Sequence, residues 1–182
     1  MKQIVIPGLK LALICAIAAI SLGFINMLTQ PRIEAYREQL ILEALQEVSG
    51  AYEVGPQHEQ DYEEVSFVYD LLENGEVAGY VIRIKADGYG GPMQIIAGYL
   101  SDGKLLDARL MENAETPGLG KQAEDPAYME KFTGKGAEDP IPQRSGQLSA
   151  EQADSISGST ITFIGIARAL QNGSEFVRKL GR

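Results

Sequence analysis

The longest apolar stretch of the chain lies near its N-terminus. No residue between Lys10 and Arg32 is charged, and residues 11–28 are almost entirely apolar. At about 1.5 Å per residue, a helix of this length spans roughly the 30 Å of a bilayer's hydrocarbon core. A cleaved signal peptide would have a shorter apolar region ending in a small-x-small site, whereas this one continues through Leu28. The pattern predicts a retained transmembrane helix, with residues 1–30 as the anchor.

Helical spacing continues beyond the apolar stretch. Pro31 suits the first turn of a new helix, and Gly50 can end that helix. Between them, apolar residues recur at helical spacing: Ile33, Tyr36, Leu40, Ala44 and Val48. We expect a stalk helix followed by a linker over residues 31–64, with the apolar stripe used for core or subunit contacts.

The pattern then changes to the alternation of β-strands. Residues 65–72 and 77–85 flank an Asn-Gly turn, and residues 93–100 and 105–112 flank a second turn, Ser101-Asp102-Gly103-Lys104. The glycine-rich run 87–92 links the two hairpins and lacks the lysine and following helix of a phosphate-binding loop. The predicted fold class is therefore α+β, an antiparallel sheet of two hairpins packed with helices and preceded by one N-terminal transmembrane helix.

Helical signals return in the C-terminal third. We predict helices over 125–132, 161–170 and 175–180, with Asn172-Gly173 separating the last two and Ser174 capping the final one. Ser149 and Gln152 have the spacing of a capping box for a further short helix. Residues 65–182 are thus expected to form one domain.

Charge and residue types exclude several functions. The net charge of −9 makes nucleic acid an improbable partner, and Cys15 is the one cysteine, so no internal disulfide and no thiolate-ligated cluster can form. His58, the one histidine, lies in an acidic stretch and is interpreted as solvated, like the carboxylates of Glu59, Asp61, Glu63 and Glu64. No catalytic triad or metal site is predicted, so any electrons would be carried by an organic cofactor.

The flanks of the apolar stretch indicate its orientation. Lys2 and Lys10 precede it without any acidic residue, whereas the charges that follow are mixed in sign. The positive-inside tendency therefore favours a cytoplasmic N-terminus and an extracytoplasmic domain.

The run Asp154-Ser155-Ile156-Ser157-Gly158-Ser159-Thr160 precedes the predicted 161–170 helix, whose free N–H groups would favour a phosphate. It resembles the flavinylation motif of the FMN-binding domain family, in which the final threonine is esterified to FMN phosphate. The resemblance implies covalent FMN on Thr160, cofactor contacts from Ser157, Gly158 and Ser159, and recognition of Asp154 by a flavin transferase. The family usually has alanine where this chain has Ser159. An ordinary Ser/Thr-rich helix cap is the alternative interpretation.

A second run, Glu115-Thr116-Pro117-Gly118-Leu119-Gly120, lies about forty residues earlier and is close to another signature of that family. The resemblance, which covers about residues 79–170, implies that Glu115, Thr116, Gly118 and Leu119 also contact the flavin. A plain Pro-Gly structural loop is the alternative.

One span and one exported FMN domain resemble the G-subunit family of Rnf complexes, with the C subunit of the sodium-pumping NADH:quinone oxidoreductase as a close relative. The resemblance implies an electron carrier in a complex that couples ferredoxin:NAD electron transfer to sodium or proton movement. It also implies other Rnf membrane subunits as partners, and a flavin transferase that uses FAD and magnesium. A membrane-anchored non-redox binding or scaffold module and a stand-alone extracytoplasmic flavin reductase stay open as alternatives.

Overall fold

The computed structural model describes residues 2–58 and 65–181. The chain divides into two compact units, one through Ile41 and the other from Leu42 onward. The domain limits predicted at residues 30 and 64 stay predictions. The helices are α1 (Lys2–Ser49), α2 (Pro126–Met129), α3 (Ala150–Ser155) and α4 (Thr160–Leu180); the strands are β1 (Glu53–Gln57), β2 (Val65–Glu73), β3 (Glu76–Asp87), β4 (Pro92–Leu100) and β5 (Leu105–Glu112). Single 3-10 turns lie at Gly120–Glu124 and Ser145–Gln147.

Helix α1 is long and apolar enough over Val5–Ser49 to cross a membrane, which fits a single-pass membrane protein. The prediction that a new helix begins at Pro31 was wrong, because α1 passes through this residue without a break. Proline has a backbone φ that a helix accepts, so it removes one hydrogen bond while the helical pattern on both sides continues.

The five strands form one antiparallel sheet in the order β1-β2-β3-β4-β5. The predicted α+β class and its two hairpins are confirmed, and the glycine-rich run turns β3 into β4 with Asp87 opposite Pro92. Strand β1, which pairs with β2 at the edge of the sheet, was not predicted from the sequence. This strand is short and mostly exposed, and it contains Gly55 and Pro56, so it lacks an apolar alternation. Proline is tolerated there because an edge strand has one side without a pairing partner.

Helix α4 covers one face of the sheet and builds the main core. Phe163, Ile166 and Leu170 are fully buried on α4 and belong to the same cluster as the inward-facing side chains of β4. The hydroxyl of Tyr99 donates to the carbonyl of Leu170 at 2.9 Å. This bond anchors the middle of α4 to the centre of the sheet.

The last turns of α1, within the second unit, cover the opposite face of the sheet. Ala44, Leu45 and Val48 are buried there, and the Val48 carbonyl occupies the space that a side chain at Gly98 would need. Ala44 and Val48 of the predicted stripe are therefore core contacts of the second unit, whereas Ile33 and Tyr36 of that stripe are exposed.

The predicted break at Asn172-Gly173 was wrong, since α4 continues to Leu180. Gly173 is needed for packing, because an added Cβ would lie 2.7 Å from the hydroxyl oxygen of Tyr99. Ser174 does not cap a new helix; its buried Oγ donates to the carbonyl of Gly103 at 2.6 Å. Contacts with the sheet therefore override a local stop signal.

Two smaller helical predictions had different outcomes. The capping box is present, with Ser149 Oγ accepting from Gln152 N and Gln152 Oε1 accepting from Ser149 N, both at 3.2 Å. The helix expected over 125–132 is only the single turn of α2, with Asp125 as its N-cap.

His58 was wrongly interpreted as a solvated side chain. Its Nε2 lies 2.6 Å from Asp70 Oδ1, and its ring meets the Tyr80 ring edge-on at 5.9 Å between centroids. The pairing of β1 with β2 continues to His58 N, which donates to Val68 O, and this register brings the imidazole to Asp70. The four acidic residues 59, 61, 63 and 64 lie outside the described residues.

We predict that Ser174→Ala lowers the free energy of unfolding by about 1–3 kcal/mol, because it leaves the carbonyl of Gly103 without its buried donor. At about 2–4 °C per kcal/mol, thermal unfolding of the full-length protein in detergent, followed by circular dichroism, would resolve this change. Ser155→Ala is the control, since Ser155 Oγ donates to the Gln152 carbonyl at an exposed position and should matter little. Equal melting temperatures for the two variants would contradict the prediction.

Candidate functional site

Thr160 is the first residue of α4, and its side chain is exposed. The chain reaches it through Gly158, whose φ of 81° is in the left-handed region that favours glycine. A Cβ at Gly158 would also lie 3.0 Å from Leu119 Cδ2. Glycine at this position therefore permits both the turn into α4 and the close approach of Leu119.

The N-terminus of α4 has no side-chain cap. Ser159 occupies the N-cap position, but its buried hydroxyl makes no capping hydrogen bond and instead donates backward to the Ile156 carbonyl at 3.2 Å. The alternative interpretation of this run as an ordinary helix cap is therefore wrong. The first turn of α4 presents N–H groups that no side chain caps, together with the positive end of the helix dipole.

The Glu115–Gly120 run forms a tight turn beside this helix end. Leu119 N and Lys121 N both donate to the carbonyl of Thr116, at 3.1 and 3.2 Å. Gly118 takes a φ of 77°, a conformation that glycine adopts at low cost. The turn holds Thr116 and Leu119 toward the N-terminus of α4.

Glu115 ties this turn to two other segments. Its carboxylate is buried; Oε1 accepts from Gly90 N at 3.0 Å, and Oε2 accepts from the buried Thr162 hydroxyl at 2.7 Å. Side chains at Gly88 or Gly120 would collide with the two carboxylate oxygens. The carboxylate thus joins the β3–β4 loop and the first turn of α4 to the Glu115 turn.

These segments enclose an open cleft of about 400 Å³. Six of the predicted site residues line it: Glu115, Thr116, Leu119, Gly158, Ser159 and Thr160. The lining also includes residues that the sequence analysis missed: Tyr89, Gly120, Ile161 and Thr162. An aromatic residue within a glycine-rich loop was the one sequence signal that could have indicated Tyr89. The cleft brings the two family-like runs into one site.

Three predicted site residues do not line the cleft. Ser157 and Asp154 are exposed in the segment that leads to Thr160, and Ser157 N donates to the Asp154 carbonyl at 3.1 Å. Gly118 shapes the turn, and its carbonyl accepts from the Gln122 side chain at 2.9 Å. The cofactor contacts of Ser157 and Gly118, and the recognition of Asp154 by a flavin transferase, stay predictions.

Tyr128 lies buried behind the cleft. The pKa of Tyr128 is raised to about 12, chiefly by burial; the Ser159 hydroxyl lowers it in part, and the negative charge of Glu115 contributes to the rise. The Lys131 ammonium lies 4.0 Å from the centre of the Tyr128 ring, and burial lowers the pKa of that lysine. The phenol therefore stays protonated near neutral pH and adds no charge behind the site.

Residues 88–175 match the FMN-binding domain family. This segment contains the Glu115 turn, the Asp154–Thr160 run and most of α4. The matched segment thus includes the residues that line the cleft, whereas β1, β2 and β3 precede it.

The proteins similar to this chain include the following two relatives and one solved structure. It is 32% identical over 171 residues to the G subunit of the Na(+)-translocating ferredoxin:NAD(+) oxidoreductase complex of Acetobacterium woodii, covering 85% of this chain and 82% of that protein. It is 28% identical to the G subunit of the ion-translocating oxidoreductase complex of Stutzerimonas stutzeri, covering 96% and 81%. The crystal structure of the C subunit of Na(+)-translocating NADH-quinone reductase from Parabacteroides distasonis is 28% identical, with 62% of this chain and 61% of that chain covered and a TM-score of 0.49.

The match to the Acetobacterium relative covers most of both chains at 32% identity. The chain therefore belongs to the family of G subunits of ion-translocating oxidoreductase complexes.

We predict that Glu115→Ala loosens the β3–β4 loop, because Gly90 N and the Thr162 hydroxyl lose their shared acceptor. Hydrogen bonds to a charged group contribute about 1.5–3 kcal/mol, so the amides of the loop should exchange faster. Hydrogen–deuterium exchange of peptides covering residues 87–92, in the full-length protein, measures this change.

Glu115→Gln is the matched variant, because it keeps a side chain of the same size and one oxygen acceptor. It should exchange at a rate between those of the wild type and Glu115→Ala. Unchanged exchange of the loop in Glu115→Ala would show that the carboxylate does not hold it.

Proposed function

We propose that this protein carries FMN covalently on Thr160 and relays electrons as the G subunit of an ion-translocating ferredoxin:NAD oxidoreductase complex. Bound FMN supplies the redox chemistry, since its ring system can take up and release electrons. The chain supplies the attachment point, the cleft and the membrane anchor.

The observation that carries the proposal is the position of Thr160. Its side chain is exposed at the uncapped N-terminus of a 21-residue helix and lines the cleft. No hydrogen bond engages the Thr160 hydroxyl within the described residues. A phosphate esterified there would lie among the free N–H groups of the first turn.

Charge explains why a covalent bond is useful. A phosphodiester keeps one negative charge, which a helix N-terminus stabilises by about 0.3–1 kcal/mol. An interaction of that size cannot retain a soluble cofactor against dilution outside the cell, because micromolar binding already requires about 8 kcal/mol. An ester bond removes this requirement.

The residues of the cleft fit the other parts of FMN. Leu119, Ile161 and Tyr89 offer exposed apolar and aromatic surface for a flat ring system. Thr116 and the backbone groups of the Glu115 turn offer polar partners for the ring's carbonyl and nitrogen atoms. The cleft is open, so electrons can pass to a neighbouring subunit without opening of the protein.

A separate flavin transferase is needed to form the bond. A threonine hydroxyl is a weak nucleophile, and no basic side chain forms a hydrogen bond with Thr160 within the described residues. In the proposed reaction, Thr160 Oγ1 attacks the FMN-side phosphorus of FAD, the pyrophosphate bond breaks, and AMP leaves; a base of the transferase takes the threonine proton. The exposed Asp154 is the position that this enzyme would recognise.

The proposed topology follows from the charges that flank the membrane segment. Lys2 and Lys10 would keep the N-terminus in the cytoplasm, so the FMN domain would face the other side of the membrane. Ferredoxin and NAD are cytoplasmic, and we therefore expect both to bind other subunits of the complex. Those membrane subunits would donate electrons to the flavin on Thr160 and accept electrons from it.

We predict that Thr160→Ala abolishes covalent FMN in protein produced together with a flavin transferase, because the nucleophilic oxygen is removed. A denaturing gel viewed under ultraviolet light and the intact mass report this loss. Thr160→Ser is the control, since it keeps the hydroxyl and should still give a fluorescent band. A fluorescent Thr160→Ala band would disprove this attachment site.

We also predict that the FMN domain is extracytoplasmic. A cysteine introduced by Gly146→Cys, in a Cys15→Ala background, lies where an added side chain meets no atom within 4 Å. It should react with a membrane-impermeant maleimide in right-side-out vesicles. A second variant, Gln3→Cys, should react only in inverted vesicles, and the reverse pattern would refute the proposed orientation.

A further inference from the structure

The structure assigns Tyr89 as the aromatic wall against which the isoalloxazine ring of the attached flavin packs. This inference deepens the proposed function and depends on FMN being attached to Thr160. It concerns a residue outside both family-like runs.

Tyr89 is presented to the cleft by a loop that is fixed at its backbone. Gly88 N donates to the Gly91 carbonyl at 2.9 Å, and Gly90 N donates to Glu115 Oε1 at 3.0 Å. The tyrosine between these anchors is 72% exposed although it lines the cleft. A large aromatic side chain held in the open by a clamped loop is suited to contact a ligand.

The cleft gives Tyr89 a distinct role among its lining residues. It is the one aromatic side chain that lines the cleft within the described part of the chain, and the whole chain contains no tryptophan. The other exposed apolar surface of the cleft comes from Leu119 and Ile161. A flat aromatic ring would therefore find one stacking partner there, together with two aliphatic side chains.

Attachment of FMN to Thr160 explains why the flavin ring is the group that would occupy the space beside Tyr89. A ring system tethered at Thr160, which lines the same cleft, stays at high effective concentration beside Tyr89. A free aromatic ligand would have to bind this open cleft without such help. The ring on the tether is thus the aromatic group most able to cover the exposed face of Tyr89.

Contact between a phenol ring and a flavin has a measurable consequence. Light excites the flavin, an electron passes from the tyrosine to the excited ring, and the same electron then returns, so fluorescence falls without net chemistry. Phenylalanine is a much poorer electron donor than tyrosine but offers the same stacking face. Tyr89→Phe removes the electron donor but keeps an aromatic ring that can cover the flavin, whereas Tyr89→Leu removes both. Comparing the two variants therefore separates quenching by electron transfer from shielding of the flavin ring.

The experiment uses full-length flavinylated protein in detergent, with the bound FMN quantified by intact mass. Fluorescence yield per bound flavin should rise severalfold in Tyr89→Leu and also rise in Tyr89→Phe. Quenching by added iodide should become stronger in Tyr89→Leu, because the ring is uncovered, and should stay near the wild-type value in Tyr89→Phe. Tyr36→Leu, which changes a similarly exposed tyrosine on α1, should alter neither quantity.

The outcomes distinguish this inference from the proposed function. Unchanged yield and iodide access in both Tyr89 variants, with FMN still attached, would overturn the role of Tyr89 and leave attachment at Thr160 intact. Wild-type protein that carries no FMN on Thr160 would refute the proposed function itself. If Tyr89→Leu takes up less flavin, the inference is tested with Tyr89→Phe alone. The fluorescence yield per bound flavin of Tyr89→Phe must then exceed that of the wild type, and an equal yield would overturn the role of Tyr89.

Discussion

The buried carboxylate of Glu115 is the interaction on which the site depends. A carboxylate removed from water is costly unless donors surround it, and this one is matched by Gly90 N and the Thr162 hydroxyl. The donors come from the β3–β4 loop and from α4, which are far apart in sequence. Because one buried side chain bonds to both, the loop, the Glu115 turn and the first turn of α4 must keep fixed relative positions. The cleft is the space left between them.

The uncapped end of α4 is a local cost that the rest of the helix offsets. A capping side chain typically contributes about 1 kcal/mol, and Ser159 gives this up by bonding to the Ile156 carbonyl. Farther along, the buried apolar face of α4, the Tyr99–Leu170 bond and the Ser174–Gly103 bond hold the helix on the sheet. Stability is thus supplied in the middle of α4, while its N-terminus stays available for an anion.

Residue patterns along the chain correctly predicted those strands, turns and caps that depend on interactions between residues close in sequence. Alternation and the Asn-Gly turn located four strands, and the Ser149 capping box was correct to the residue. The stop signal at Gly173 failed because Tyr99, on a central strand, contacts that glycine, and β1 was missed because an exposed edge strand carries no alternation. In the site, motif resemblance pointed to Thr160 and the Glu115 turn, which the fold brings into one cleft. Tyr89 could not be found that way, since its place in the cleft depends on the Glu115–Gly90 bond.

Covalent attachment and an open cleft belong together in the proposed function. A noncovalent flavin site must enclose its ligand to gain enough affinity, and enclosure keeps other redox centres at a distance. A tether at Thr160 supplies retention without enclosure, so the cleft needs only to orient the ring. The exposed faces of Leu119 and Ile161 can then border the flavin where a partner subunit approaches. In the proposed function, the bond that would retain the cofactor on an extracytoplasmic domain would therefore also allow the ring to stay near the protein surface, where a relay subunit needs it.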